Sequence, residues 1–330
     1  MPETRFDVLG IGNAIVDVLT NANEGFLEER KLDKGSMRII DAEEAETLYA
    51  DMGSGVEASG GSAGNTIAGV ASLGSRSAFI GKVRRDSLGE TFAHDIQALG
   101  VHFETAMATA GPPTARCLIL VTPDAQRTMN THLGACVTLT EADVDETIVE
   151  ASAITYLEGY LWDPPEAKQA FRKAMAVAHK ADRKVALTLS DAFCVDRYRA
   201  EFCQLVAGDA DILFANESEI ISLYQAASFD DAVQQVQDSG TLAALTRGER
   251  GSVIVSGKKI YEIDCDPVGK VVDTTGAGDQ FAAGFLHGLT LGRDLPVCGQ
   301  LGSLAAAEII SHYGARPEAS LANLVKARGL

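Results

Sequence analysis

Apolar residues follow two rhythms along this chain. Short apolar runs at residues 6–12, 77–80, 116–121, 154–157, 185–189, 212–215, 242–246 and 252–255 read as strands. Between them, apolar positions recur at helical spacing. After Asp86, the residues Leu88, Phe92, Ile96 and Leu99 fall on one helical face. Pro164 and Pro165 open a second helix that runs to about Ala181. Further helices are expected to begin near Ala277 and to cover 297–311. This β-α alternation predicts an α/β fold, with a mostly parallel central sheet and helices on both faces.

Two stretches break the rhythm. Residues 16–62 and 101–135 carry short, polar-interleaved β patterns, as in "GSMRIID" and "ARCLILVTPDAQRTMNTHL". They are expected to pair into a small sheet that stands off the main body as a lid. The large α/β domain then takes residues 1–15, 63–100 and 136–330. No Pro/Ser-rich linker or low-complexity run divides the chain, so all 330 residues read as a single unit.

Composition narrows the partners. The apolar fraction of 46% supports a large core, and the formal net charge of −18 repels phosphate backbones, which argues against nucleic acid. A small anion could still bind where backbone N–H groups converge. The six cysteines form no C-x-x-C pair and lack a His at zinc-finger spacing, so they read as thiols of a reducing compartment. The start, "MPETRFDVLGIG", lacks a basic and then apolar leader, and no run approaches ~18 apolar residues. A cytoplasmic protein without a membrane partner is expected, either monomer or homodimer.

Five stretches carry candidate chemistry. In "VVDTTGAGDQFAAGF" a glycine-rich turn at Gly276, Ala277 and Gly278 leads into a helix, so free N–H groups and the helix dipole make an anion site. Asp279 would repel a phosphate there unless it takes a proton from an attacking hydroxyl while the amides hold the transferring group. The alternative is an Asp that merely caps the helix. In "SGGSAGNTIAGVASLG", Gly60, Gly61 and Asn65 could meet ligand hydroxyls, or form a hinge and an N-cap. In "LFANESEI", Asn216 and Glu219 stand past a strand end, where α/β proteins bind ligands; they suit a hydrated Mg²⁺ or a simple capping box. In "LTRGERGSVIV", Gly248 and Gly251 fit a hairpin. In "DVLGIGNAIVD", Gly10 and Gly12 hint at a dinucleotide fingerprint, but Ile15 occupies the third glycine position, and Asn13 and Asp17 look like hydrogen-bonding groups beyond a strand tip. Walker A, H-E-x-x-H and G-x-S-x-G patterns are absent from the sequence.

Taken in order, G-N-x-x-x-D, G-G-x-x-x-N, N-x-x-E, T-R-G and D-T-T-G-A-G-D resemble the ribokinase or PfkB family of carbohydrate and nucleoside kinases over nearly the whole chain. Within it, "TYLEGYLW", "ALTLSDAFCVDRY", "ADILFANESE" and "GSLAAAEIISHYGARP" are most similar to adenosine kinases. The resemblance implies a ribokinase-like body with a β-sheet lid, ATP as donor and Mg²⁺ as cofactor. It implies Asp279 as base and Gly276, Ala277 and Gly278 as anion hole. Asn13, Asp17, Gly60, Gly61, Asn65 and Leu133 would line the acceptor site, with Arg127 approaching from the lid. Tyr160 and Phe193 match rings that sandwich a purine; the bland alternative is that both are core residues. Asn216, Glu219, Thr246, Gly248, Gly251 and Ala305 would border ATP, with Glu219 reaching Mg²⁺ through water. Asp273, Thr275 and the 310–316 loop match a monovalent-cation (K⁺) site of ribokinases.

Thr275 stands where animal adenosine kinases carry Asn, and Met37 where a Gln contacts the base, so a sugar such as ribose or fructose stays open as acceptor. A non-catalytic ligand sensor on the same fold and an NAD-dependent dehydrogenase are the competing classes.

Overall fold

The computed structural model describes residues 4–124 and 126–330. Its main sheet is built from β1 (Phe6–Ile11), β5 (Ser77–Ile80), β8 (Ser152–Glu158), β9 (Lys184–Thr188), β10 (Ile212–Asn216), β11 (Leu242–Thr246), β12 (Ser252–Ser256) and β13 (Lys259–Ile263). The spatial order is β13-β12-β11-β10-β9-β8-β1-β5. Neighbours from β5 through β11 are parallel, and β12 and β13 continue the edge as antiparallel strands. A second sheet takes β2 (Ile15–Asn21), β3 (Met37–Ile39), β4 (Val56–Gly60), β6 (Ala115–Val121) and β7 (Arg127–His132), in the order β3-β7-β6-β2-β4. Two helices, α1 (Glu24–Glu29) and α2 (Ala42–Asp51), lie in its connections.

The parallel strands read as unbroken apolar runs because helices cover both faces. Leu213, Leu245 and Leu9 point to one core, and Ile212, Ala244 and Val8 to the other. The first core is closed by α5 (Glu146–Glu150), α6 (Pro165–Lys180), α7 (Ala192–Gly208), α8 (Glu217–Tyr224) and α9 (Phe229–Ser239). The second is closed by α3 (Ser62–Ser72), α4 (Ser87–Ala98), α10 (Ala277–Thr290), α11 (Leu295–Ile309) and α12 (Leu321–Arg328).

Three details differ from the sequence pattern. Leu99 is the C-cap of α4 and is exposed, although its spacing puts it on the face of Phe92 and Ile96. The helix expected over 297–311 starts two residues earlier, where Asp294 takes the N-cap position and Pro296 fits the first turn. Strand β13 alternates polar and apolar residues at an exposed sheet edge, so it lacks the apolar run that marks its neighbours.

This topology creates the site. The C-terminal ends of β1, β8, β9, β10 and β11 meet along one edge, which is where open α/β sheets hold ligands. The second sheet sends Val16, Val18, Leu118 and Leu120 into the core, so the pleat turns Ile15, Asp17, Cys117 and Ile119 to the opposite face, over that edge. Among the described residues, no helix is long and apolar enough to cross a membrane.

Candidate active site

A cavity of about 920 Å³ lies between the strand tips and the second sheet. Its walls include Asn13, Asp17, Gly61, Asn65, Leu133, Tyr160, Phe193, Asn216, Glu219, Thr246, Thr275, Gly276, Ala277, Gly278 and Asp279. Residues that the sequence spreads over more than 260 positions thus face a single space. Gly248, Gly251 and Ala305 are not among these walls. Gly248 and Gly251 both adopt positive φ in the turn between the antiparallel strands β11 and β12, which is the hairpin their spacing suggested. Ala305 is 1% exposed and buried in the core on α11.

The turn before α10 leaves backbone amides facing the cavity. Gly276 is the N-cap with φ +77°, and a Cβ there would strike Ala315, so both conformation and space require glycine. No side chain caps the helix. Among the described residues, the N–H groups of Gly276, Gly278 and Asp279 have no hydrogen-bond partner. The N–H of Ala277 departs from expectation: it donates to the Thr274 carbonyl at 3.2 Å, so the anion site is formed by its neighbours.

Asp279 faces the same space. Ser62 Oγ donates to its Oδ1 at 2.6 Å, and Asn65 Nδ2 donates to its Oδ2 at 3.3 Å. Burial pushes its pKa up to about 7, although these two hydrogen bonds and the charge of Arg316 pull it down; Asp17 adds to the rise. A carboxylate so placed can accept a proton near neutral pH.

Beside it, Asp17 is raised to about 6 by burial, against the charges of Arg316 and Arg127. Gly60 does not line the cavity, yet a Cβ on it would overlap the Asp17 carboxylate. Gly61 (φ +87°) abuts the Asn13 carbonyl in the same way. Asn13 is held by Glu158, a residue the sequence reading passed over. Asn13 Nδ2 donates to Glu158 Oε1 at 2.6 Å, and the Ala63 N–H donates to Oε2 at 2.8 Å. Glu158 is 1% exposed, and burial pushes it up to about 7 despite those bonds. Asn13 Oδ1 is left buried without a partner, on a residue that lines the cavity.

On the opposite side, Asn216 and Glu219 form a full capping box at the start of α8. The structural alternative is therefore real, and the two residues still line the cavity. Burial raises Glu219 to about 7; the Asn216 N–H opposes this, and the charges of Asp191 and Asp279 add to it. This unbalanced negative charge fits a divalent cation held through water. Among the described residues, no three acidic, His or Cys side chains form a direct ligand set.

Arg127 is tied elsewhere. Its Nη1 lies 2.6 Å from Asp273 Oδ2 in a buried ion pair that joins β7 to the turn before α10. Asp273 Oδ2 also accepts from the Gly314 N–H, and Oδ1 accepts from Thr275 through its N–H and Oγ1. With its charge matched and both oxygens engaged, Asp273 does not fit a monovalent-cation ligand here. Tyr160 and Phe193 share the cavity, and Phe193 is 81% exposed, so it is not a core side chain. Met37, Ile39, Ile119 and Met129 of the second sheet supply an apolar wall.

A buried carboxylate beside unpaired helix-terminal amides, on a ribokinase-like body under a second sheet, goes with the family match below, and the family's enzymes are phosphotransferases that act on a hydroxyl group. Residues 32–321 match the pfkB family carbohydrate kinase model, and the chain belongs to that family. It is 53% identical, with a TM-score of 0.91, to the solved adenosine kinase of Sinorhizobium meliloti, covering 98% of this chain and 99% of that one. It is 51% identical, with a TM-score of 0.92, to a probable sugar kinase of Rhizobium etli CFN 42, covering 99% of both. The adenosine kinase of Saccharomyces cerevisiae is 27% identical over 92% of this chain and 94% of its own length.

Proposed function

We propose that this chain transfers the γ-phosphoryl group of ATP to the 5′-hydroxyl of adenosine or a closely related purine nucleoside. The observation that carries this reading is the position of Asp279 between unpaired helix-terminal amides and the polar groups of Asn13, Asp17 and Asn65. In this account Asn13, Asp17 and Asn65 hold the ribose hydroxyls. Asp279 takes the proton of the attacking hydroxyl while the amides of Gly276, Gly278 and Asp279 hold the phosphoryl group. Asn216 and Glu219 would arrange the water shell of Mg²⁺, and Thr246 would border the nucleotide. When bound, Mg²⁺ supplies charge neutralisation for the phosphates. The second sheet excludes water from the site. Arg127 would reach the phosphoryl group only by leaving Asp273, and K⁺ receives no role.

A purine acceptor is favoured by the apolar wall and by Tyr160 and Phe193, which suit a flat base better than a small sugar. The relatedness to the Sinorhizobium meliloti adenosine kinase points the same way. The sugar reading rests on Thr275, on Met37 in the base wall, and on the probable sugar kinase of Rhizobium etli. A mere sensor would need a damaged base or anion site, whereas Asp279 and its amides are intact. A screen of ATP consumption across nucleosides and sugars decides among these. Turnover with adenosine above all sugars is expected; turnover confined to sugars transfers the assignment to that class, and no turnover with any acceptor sinks the kinase reading.

A further inference from the structure

Arg316 lies beside Asn65, and its charge reaches Asp279. Its Nε donates to Asn65 Oδ1 at 2.9 Å. Both terminal nitrogens, Nη1 and Nη2, are buried without a hydrogen-bond partner. Burial and the loss of hydration depress its pKa to about 10, against the charges of Asp95, Asp17 and Asp279, so it stays cationic at neutral pH. A cation placed at such cost needs a compensating role.

Its backbone is pinned to the site from two sides. Gln280, fully buried on α10, donates through Nε2 to the Asn65 carbonyl at 2.9 Å and to the Ala315 carbonyl at 3.1 Å. The Gly314 N–H donates to Asp273. The loop that carries the guanidinium is therefore held by α10, which also carries Asp279, and by the turn before it, and Gln280 ties that loop to the Asn65 backbone.

We propose that Arg316 is a positioning residue for the phosphoryl-transfer step and acts through Asn65. The chemistry of the two groups carries the argument. A guanidinium has donors only, so the atom facing it must be the Asn65 oxygen. That choice fixes the amide, and its Nδ2 must then point to Asp279 Oδ2, as observed. If the amide flipped, its oxygen would face the carboxylate and repel it. With Ser62 on Oδ1 and Asn65 on Oδ2, the carboxylate plane is set from both sides and its remaining lone pairs are left for the acceptor hydroxyl.

This inference rests on the kinase reading, and two measurements keep the two apart. The first is a kinetic cycle with Arg316→Met, Asn65→Ala and the double variant, on the acceptor that the wild type turns over best. Arg316→Met is expected to lower kcat about tenfold, with a smaller rise in acceptor KM because Asn65 also faces the acceptor. In the Asn65→Ala background it should cost less than about twofold, because the group it works through is gone. Arg316→Lys, which can still donate to Asn65 Oδ1, should recover most of the lost kcat. A full tenfold loss persisting without Asn65, or a loss confined to KM, overturns the proposal. If Arg316→Met does not fold, the same cycle is run with Arg316→Leu, which also lacks a donor, with the same expectations.

The second measurement, a crystal structure of the Arg316 variant, does not depend on turnover. The Asn65 side chain is expected to turn away from Asp279. An Asn65 amide that keeps its place and its contact with Asp279 overturns the proposal even if the wild type proves to be an active kinase.

Discussion

At the scale of single residues, Asp279 is pulled in two directions. Burial raises it to about 7, and Ser62, Asn65 and Arg316 oppose that rise. The base must be ionised to act, so kcat/KM should fall about tenfold per pH unit below an apparent pKa near 7 and level off above it. A pH–rate profile that is flat between pH 5.5 and 8 would exclude Asp279 as the titrating base. Asp279→Asn should lower kcat by roughly 10²–10⁴ with little change in acceptor KM; turnover near the wild-type rate would remove its role. The same residue bears on stability. Asp17, Glu158, Glu219 and Asp279 all titrate higher in the folded chain than their ordinary values of 3.8 for Asp and 4.5 for Glu. The folded state therefore binds more protons than the unfolded one across that range. The resulting stabilisation is present below about pH 4 and is lost as pH rises through about 6 to 7. Ligand-free Asp279→Asn should accordingly melt above the wild type at pH 8, and by a smaller margin at pH 5. Asp279 was legible because it sits inside a specific seven-residue string. Ser62, Glu158 and Arg316 were not: each lies inside a stretch that the sequence singles out, but nothing in its residue type or spacing sets it apart from its neighbours, and only the fold brings it to the site, across 217 positions in the case of Ser62 and Asp279.

At the scale of elements, the turn before α10 does two jobs. Its left-handed Gly276 both frees amides for an anion and lets Ala315 approach. Gly276→Ala should cost turnover and stability together, read as lower kcat and a lower melting temperature; an alanine variant that melts and turns over like the wild type would refute the close-packing argument. The buried Arg127–Asp273 pair links β7 of the second sheet to this turn. Arg127→Met leaves the Asp273 charge buried and unmatched and should destabilise the fold by about 3 kcal/mol in urea unfolding. No loss would mean that the pair is not formed in solution. The strands of the main sheet were readable because coverage on both faces makes them continuous apolar runs. The capping box at Asn216 and Glu219 was readable as either structure or chemistry, since one pair of side chains serves both: the hydrogen bonds that cap α8 also hold a carboxylate against the cavity. Gly248 and Gly251 show a glycine pattern serving the turn it makes, with both at positive φ between β11 and β12.

At the scale of the whole molecule, a strongly acidic chain places two arginines, Arg127 and Arg316, where their charges act on the buried carboxylates Asp17 and Asp279. The sequence order of motifs carried the family and the reaction class, because each motif sits at a strand tip or helix start that the fold must present to the same edge. It carried less about the acceptor. The base-facing wall is made of single apolar positions from the second sheet, among them Met37, Ile39 and Ile119, and apolar residues in short strands have no pattern that separates a ligand wall from a core. The most direct test is therefore a competition: ATP, Mg²⁺, and equal amounts of adenosine and ribose with the wild-type protein, followed by phosphorus NMR. The account predicts that the resonance of a nucleoside 5′-monophosphate grows while ribose stays unphosphorylated. Accumulation of a ribose phosphate in its place, or ADP appearing with neither acceptor modified, would contradict it.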